Sequence, residues 1–282
     1  MISTGLRPLR PAQVLPQKRI LFDTSDRSRF FSNHRSCFTR CAAQEGPGSV
    51  RREVLTPSQR TKLNPQDDRY WYDKPRLVHH SDAIFRSQVT QLYRERIPAG
   101  GTVLDLCSSW VSHLPPDVEY AKIMGHGLNA VELGENKRLS QFFIRNLNKQ
   151  PNEWALESDS FDAVLICCSV QYFQQPERVF SEIFRVLKPG GVCLVTFTHN
   201  LFYEKAVAAW RDGSMYSRTQ LVKQYFLAVD GFTEPEALTS VSGRASLSPF
   251  EAAATVVQKF FKTGSSVADP FHAVVSYKLK RN

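Results

Sequence analysis

Short apolar runs alternate with longer stretches of helical spacing from residue 82 to the last residues of the chain. A run of four to eight mainly apolar residues bounded by turn residues predicts a buried strand. The run from Ala163 to Cys168 is apolar without interruption, which is typical of a strand covered on both faces. The strands predicted in this way are 102–106, 120–124, 141–145, 161–168, 192–197 and 272–278.

Apolar residues three and four positions apart predict helices between these strands. Asp82 is placed to cap the first helix, and Pro176 begins the clearest one. The predicted helices are 82–96, one from about 129, 176–187, about 202–211, 219–229 and about 250–262. This alternation predicts an α/β fold: a doubly wound, mostly parallel sheet with helices on both faces, which binds its ligands at the carboxyl ends of the strands.

The segment 42–81 is polar, contains four prolines and predicts an irregular N-terminal arm ahead of one domain at 82–282. Within the arm, Tyr70, Trp71 and Tyr72 form an aromatic cluster. Large aromatic side chains mostly serve as packing anchors, so we favour packing on the domain. A lid over a pocket is the alternative.

The formal charge of +9 is unevenly distributed along the 282 residues. Residues 1–44 hold eight Lys or Arg and two Asp, so six of the nine excess positive charges lie there. An Arg- and Ser-rich, acid-poor start resembles an organelle transit peptide, and the residues around Cys41 resemble a plastid cleavage site. We therefore expect a leader over 1–41 and a chloroplast location, with the mitochondrion, or a disordered basic tail, as the alternatives. The remaining chain is nearly balanced in charge, which argues against a nucleic-acid partner.

Six cysteines occur, and none forms a Cys-x-x-Cys pair. Reduced, buried thiols are therefore expected, and no metal site is predicted. No apolar run approaches the ~20 residues of a membrane-spanning helix.

Three motifs follow one another along the predicted fourth strand, the helix after it and the fifth strand. They are Ser-Phe-Asp-Ala-Val at 160–164, Ser-Val-Gln-Tyr at 169–172 and Arg-Val-Leu-Lys-Pro-Gly-Gly at 185–191. In this order they resemble the class I S-adenosylmethionine-dependent methyltransferases, in particular the type 11-like members, over about residues 82–282. The resemblance implies a Rossmann-like fold, S-adenosyl-L-methionine as cofactor and transferase activity.

The first cofactor motif of that family is matched only at its start. Val-Leu-Asp-Leu at 103–106 fits, but Cys-Ser-Ser-Trp-Val at 107–111 stands where a glycine-rich loop is usual. Glycine serves there because the backbone bends sharply and approaches the ligand closely. The resemblance implies that Asp105 helps to hold the amino acid end of the cofactor, whereas its plainer role is to cap a helix.

The other cofactor positions are carried over from the same resemblance. Gly127 stands where an acid often pairs with the ribose, with Asn129 or Glu132 as substitutes, and 146–148 stands beside the adenine. The full set of implied cofactor-binding residues is Asp105, Ser108, Trp110, Gly125, Gly127, Asn129, Asn146, Leu147 and Ser169.

Three functions remain open on the sequence. The first is methyl transfer to a small-molecule acceptor, an in-line displacement in which alignment matters most and an acid or base is optional. The second is a methyltransferase-like binding or assembly module without catalysis, suggested by the missing glycines. The third is a nicotinamide-dependent oxidoreductase, because 125–130 fits the dinucleotide fingerprint, although the acid expected further on is missing. Substrate-side candidates near strand ends are His113, Gln171, Tyr172, His199 and Tyr203, of which His199 and Tyr172 are weak candidates for a catalytic base.

Overall fold

A twisted sheet forms the centre of the computed structural model, which describes residues 19–21, 46–241 and 268–280. The strand order across the described sheet is β1-β4-β3-β2-β5-β6-β8-β7, in which β8 runs antiparallel to the other seven strands. This arrangement confirms the predicted α/β fold with a doubly wound, mostly parallel sheet. The strands are β1 (Arg19–Leu21), β2 (Thr102–Leu106), β3 (Lys122–Gly127), β4 (Gln141–Ile144), β5 (Phe161–Cys167), β6 (Leu187–Phe197), β7 (Glu236–Leu238) and β8 (His272–Tyr277).

Helices cover both faces of the sheet, and the pleat of β5 divides the core between them. Ala163 and Leu165 belong to the cluster under one face, and Val164 and Ile166 belong to the cluster under the other. This division follows from the side-chain period of two along a strand. In the described ranges the helices are α1 (Asp68–Trp71), α2 (Ala83–Arg96), α3 (Ala130–Glu135), α4 (Pro176–Val186), α5 (Ala208–Arg211) and α6 (Met215–Leu227), and Val170–Tyr172 form a 3-10 turn.

Most predicted elements are present with small shifts at their ends. The second predicted strand, which is β3, runs to Gly127 rather than to residue 124. The reason is that His126, between two glycines, is buried and its ring nitrogens are both hydrogen-bonded. Helix α6 begins at Met215 rather than at the predicted residue 219, because the Ser214 side chain accepts the Ser217 N–H and caps the helix there. The helix expected at about 202–211 is only the four residues of α5, and β7 was not predicted. The helix expected at about 250–262 lies outside the described residues.

The described part of the arm, 46–81, is irregular except for α1 and packs along the domain. Leu55 is buried in the core, and the Glu177 carboxylate on α4 accepts the backbone N–H groups of Val54 (2.6 Å) and Leu55 (3.2 Å). The same carboxylate pairs with the Arg60 guanidinium at 2.9 Å. One buried acid thus anchors the first half of the arm.

Strand β1 lies within the expected leader and pairs in parallel with β4 at the sheet edge. Within the described ranges, no helix is both long and apolar enough to cross a membrane. In the same ranges, no group of three or more His, Cys, Asp or Glu is arranged to hold a metal ion.

Candidate functional site

A cavity of about 320 Å³ opens at the carboxyl ends of β2 to β6, where the α/β architecture is expected to bind ligands. Its volume is at the lower end of the ~300–1,000 Å³ that small-molecule sites occupy. The turns after the five strands form its floor, and the second half of the arm forms its roof. The roof residues that line the cavity are Asp68, Tyr72, Arg76, Val78, His79, His80 and Ser81.

The turn after β2 achieves without glycine the bend for which the family uses glycines. Cys107 takes the left-handed backbone conformation with φ 57°, which is uncommon for a residue with a side chain. The loop is then fixed by hydrogen bonds: Asn136 donates to the Ser109 carbonyl and to the Ser112 hydroxyl, both at 3.0 Å. Trp110 does not fill the cavity, because its indole N–H donates to the Val78 carbonyl (3.2 Å) and its ring packs on His79 at the rim.

The buried imidazole of His126 joins three strand ends beneath the cavity. Its Nδ1 accepts the Cys107 N–H (3.1 Å), and its Nε2–H donates to the Arg145 carbonyl (2.8 Å). Burial lowers the pKa of His126 to about 4, so the ring is neutral at physiological pH and keeps this tautomer. Gly127 follows, and a Cβ there would lie 2.8 Å from the Ser108 carbonyl oxygen. Glycine at 127 is therefore required by the close approach of the serine loop.

The carboxylate of Asp105, at the carboxyl end of β2, lies next to two serine hydroxyl groups. Ser108 donates to its Oδ2 at 2.6 Å, and the Ser112 hydroxyl donates to the same oxygen. Burial raises the pKa of Asp105 to about 6, although both hydroxyls oppose the change. The carboxylate is therefore ionised at pH 7 and above, at a cost in desolvation.

Asn129 and Glu132, the two proposed substitutes for a ribose-binding acid, have different surroundings. The Asn129 side chain caps α3 and also donates to the carbonyls of Tyr72 (2.8 Å) and Asp73 (2.9 Å), so its polar atoms are all engaged. Glu132 is buried and lines the cavity, and it accepts the Arg76 N–H (2.7 Å) and the Ser109 hydroxyl. A carboxylate has room for further donors, so Glu132 is the better placed of the two.

The Asn-Leu-Asn turn after β4 is tied to α1 of the arm. Asn146 donates to the Asp67 carboxylate (2.9 Å), and Asn148 donates to the Asp68 carboxylate (2.7 Å). Leu147 between them is buried and lines the cavity. This turn offers an apolar surface flanked by amides, as expected beside a flat heterocycle.

Thiols and a phenol line the cavity after β5. Hydrogen bonds from Cys168 and His113 hold the pKa of the Cys167 thiol below its ordinary value, against the opposing effect of burial. Burial raises the pKa of Tyr172 to about 12, and its oxygen accepts the Phe202 N–H at 2.9 Å. The phenol therefore stays protonated at neutral pH, which disfavours it as a base.

The structure brings together most of the residues selected from the sequence. Those that line the cavity are Asp105, Ser108, Trp110, His113, Gly127, Asn129, Glu132, Asn146, Leu147, Ser169 and Tyr172.

Four selections lie outside the cavity lining. Gly125 lies inside β3, where a Cβ would meet Leu139, and does not line the cavity. This position also explains why the dinucleotide fingerprint does not apply: its first two glycines are strand residues and form no phosphate-binding turn. His199 is about half exposed and lies 3.8 Å from Asp269. Gln171 and Tyr203 also lie outside the cavity lining, the first buried and the second exposed.

Sequence reasoning kept a roof over the cavity only as the alternative to packing, and it did not place the thiols at the cavity. The aromatic cluster of the arm was the available signal, and its members divide: Tyr70 is exposed, Trp71 packs edge-on against Phe202, and Tyr72 lines the cavity. Trp71 thus fits the packing interpretation, whereas Tyr72 lies where a lid would lie. The described cysteines are free, as expected, but Cys107, Cys167 and Cys168 line the cavity.

One protein family matches the part of the chain that forms much of this site. Residues 123–195, from β3 to β6, match the model of the methyltransferase domain. The stretch contains all three motifs, so the resemblance seen in the sequence is confirmed there. The search of curated proteins found no match.

Solved structures are similar at low identity. An S-adenosylmethionine-dependent methyltransferase from Mesorhizobium loti is 13% identical with a TM-score of 0.42, over 66% of this chain and 96% of that one. Phosphoethanolamine N-methyltransferase 2 from Haemonchus contortus is 15% identical with a TM-score of 0.42, over 71% of this chain and 54% of that one. The [4+2]-cyclase SpnF is 17% identical with a TM-score of 0.43, over 69% of this chain and 82% of that one.

Proposed function

Starting from the match of residues 123–195 to the methyltransferase domain, we propose that the chain transfers a methyl group from S-adenosylmethionine to a small-molecule acceptor. One observation carries the proposal: despite the missing glycines, the serine loop is folded back by Cys107 and His126 and leaves a cavity open above it. The loop therefore supplies the space that a glycine-rich loop would supply.

The residues around the cavity fit the cofactor in charge and in hydrogen bonding. Asp105 is a buried carboxylate that suits the ammonium group, and Glu132 suits the ribose hydroxyls. Asn146 and Leu147 would flank the adenine. Thr198 Oγ1 is buried at the cavity and has no hydrogen-bond partner within the described residues, so a ligand would satisfy it.

The bound cofactor supplies an electrophilic methyl group on a sulfonium. The chain's own residues then have three tasks: to fix the amino acid end through Asp105, to cover the reacting atoms with the arm, and to align the acceptor. Alignment and exclusion of water account for much of the rate in such reactions. His113 lines the cavity beside Cys167 and is the residue best placed to take a proton from an acceptor.

Calorimetric titration of the full chain with S-adenosylmethionine and S-adenosylhomocysteine tests the proposal. We expect dissociation constants of about micromolar order, corresponding to about −8 kcal/mol. The variant Y216A, which truncates an exposed side chain outside the cavity lining, is the matched control and should bind like the wild type.

Two results would favour the alternatives. No heat at millimolar ligand would favour a methyltransferase-like module without catalysis, as the absence of glycines first suggested. Binding of a nicotinamide dinucleotide in place of S-adenosylmethionine would favour an oxidoreductase.

A further inference from the structure

The side of the cavity next to β5 and β6 is lined by aromatic rings grouped around Phe202. The ring centroid of Phe202 lies 5.4 Å from that of His80 and 5.9 Å from that of Trp71, both edge-on. It stacks on Tyr172 at 6.1 Å and meets Tyr72 at 6.2 Å. We call these five residues the aromatic group.

The guanidinium of Arg76 lies within the aromatic group and lines the cavity. Its central carbon is 5.2 Å from the ring centroid of Phe202, 5.6 Å from that of Trp71 and 5.8 Å from that of Tyr72. These distances are within the ~6 Å over which an aromatic face attracts a cation. The rings therefore stabilise the positive charge but accept no conventional hydrogen bond from its N–H groups.

The hydrogen bonding of this cation is incomplete. Nη2 donates to the Trp71 carbonyl at 3.1 Å, whereas Nη1 is buried and has no hydrogen-bond partner. Arg76 makes no salt bridge with any carboxylate in the part of the chain that the structure describes. A buried donor without a partner costs about 1–3 kcal/mol, and more when it is charged.

Two carboxylates that line the cavity, those of Glu132 and Asp68, have partners other than the guanidinium of Arg76. Glu132 accepts the backbone N–H of Arg76 and the hydroxyl of Ser109. Asp68 is paired with the ammonium groups of Lys62 and Lys205, each at 2.8 Å. Arg76 thus lines the cavity without a carboxylate partner among the described residues, and an anionic ligand would supply one.

The guanidinium lies over Phe202, which follows β6, whereas Asp105 lies near the end of β2 and Asn146 follows β4. Glu132 in α3 contacts the backbone N–H of Arg76. We propose that Arg76 binds an anionic group, a carboxylate or a phosphate, of the methyl acceptor. This inference rests on the proposed function, and it follows from the fork of N–H donors that guanidinium presents to such groups.

The test uses the full chain as wild type, R76Q, R76K and K74Q, the last being a matched control that removes an exposed cation of the same arm outside the cavity lining. The probes are benzoate, phenyl phosphate and neutral benzamide, whose binding is measured by NMR titration with and without S-adenosylhomocysteine. We expect the wild type and K74Q to bind at least one of the anions about tenfold or more tightly than benzamide. R76Q should lose that preference, and R76K should retain part of it, because lysine keeps the charge without the fork.

Two results would overturn the inference. The first is an anion preference that is absent from the wild type or survives in R76Q. The second is a loss of S-adenosylhomocysteine affinity in R76Q with unchanged affinity for methylthioadenosine, which lacks the amino acid; it would assign the guanidinium to the cofactor's own carboxylate. Failure of the proposed function gives a different pattern: the wild type would not bind S-adenosylhomocysteine, while an Arg76-dependent anion preference would still support the anion site.

Discussion

The carboxylate of Asp105 is expected to reduce the stability of the free protein and to strengthen cofactor binding. Its pKa of about 6 lies well above the ordinary value of 3.8, because burial penalises the charge. A carboxyl group with a raised pKa in the folded state stabilises the fold fully below about pH 4 and loses that contribution as the pH rises through 6. Each unit of difference between the folded and the unfolded pKa corresponds to about 1.4 kcal/mol. The Asp105 carboxyl group therefore lowers the free energy of unfolding by about 3 kcal/mol at pH 8 and by about half that at pH 5.

The variant D105N removes this charge and keeps an oxygen that accepts the hydroxyls of Ser108 and Ser112. Urea unfolding at both pH values should therefore show the stability of D105N rising relative to the wild type by about 1–2 kcal/mol between pH 5 and pH 8. Affinity for S-adenosylhomocysteine should fall about tenfold to a hundredfold, the usual effect of losing a charged hydrogen bond.

D162N is the matched control on the neighbouring strand. Burial favours a higher pKa for Asp162, but hydrogen bonds from Lys188 (2.7 Å) and from the Thr102 N–H (2.8 Å) outweigh it and lower the pKa. D162N should accordingly be less stable than the wild type by a similar amount at pH 5 and at pH 8. A D105N stability difference that is the same at both pH values, or an unchanged affinity, would refute the role assigned to Asp105.

Three further perturbations follow from other contacts. G127A places a Cβ 2.8 Å from the Ser108 carbonyl, so S-adenosylhomocysteine binding measured by calorimetry should weaken about tenfold or more, and an unchanged constant would contradict the proposed packing. D68N leaves two buried ammonium groups without their partner and should cost about 3–5 kcal/mol in urea unfolding; a loss under about 1 kcal/mol would mean that the lysines are neutral or hydrated. Removal of 1–41, the expected leader, takes away β1, the one strand that the structure describes in that segment, so thermal unfolding should stay cooperative with a change of about 1 kcal/mol or less. Loss of the cooperative transition would show that the edge strand is needed.

The fold was predictable because buried strands leave a direct pattern in the sequence. The apolar residues from 163 onward and the Pro residue at the start of α4 placed β5 and α4 almost at their true ends. The predicted start of β6 at 192 was wrong, because the strand begins at Leu187 and includes the Pro-Gly-Gly that was read as a turn. The extent of β3 was not predictable in this way, because Gly125, His126 and Gly127 look like a turn. Only the partners of the His126 ring, which come from the ends of β2 and β4, explain why these residues extend a strand.

The floor of the cavity was predictable for the same reason, since topology places strand ends together. The roof was not, because contacts between an irregular arm and the domain leave no period in the sequence. Arg76 shows the limit: neither its neighbours in sequence nor its charge indicates that it lies over Phe202, more than a hundred residues later. His199 shows the converse, since a residue after a strand end can still turn away from the cavity.

The way in which the roof is docked has a consequence for how this protein can diversify. Four of its contacts with the floor use backbone atoms of the arm: the carbonyls of Tyr72, Asp73 and Val78 and the N–H of Arg76. Backbone groups are the same for nearly every residue type, so substitutions in this stretch leave the docking in place. From Tyr72 onward, the side chains that line the cavity are therefore less constrained by docking than the sheet and its turns. If the proposed function holds, acceptor preference can evolve in this short, contiguous stretch, separately from the residues that hold the methyl donor.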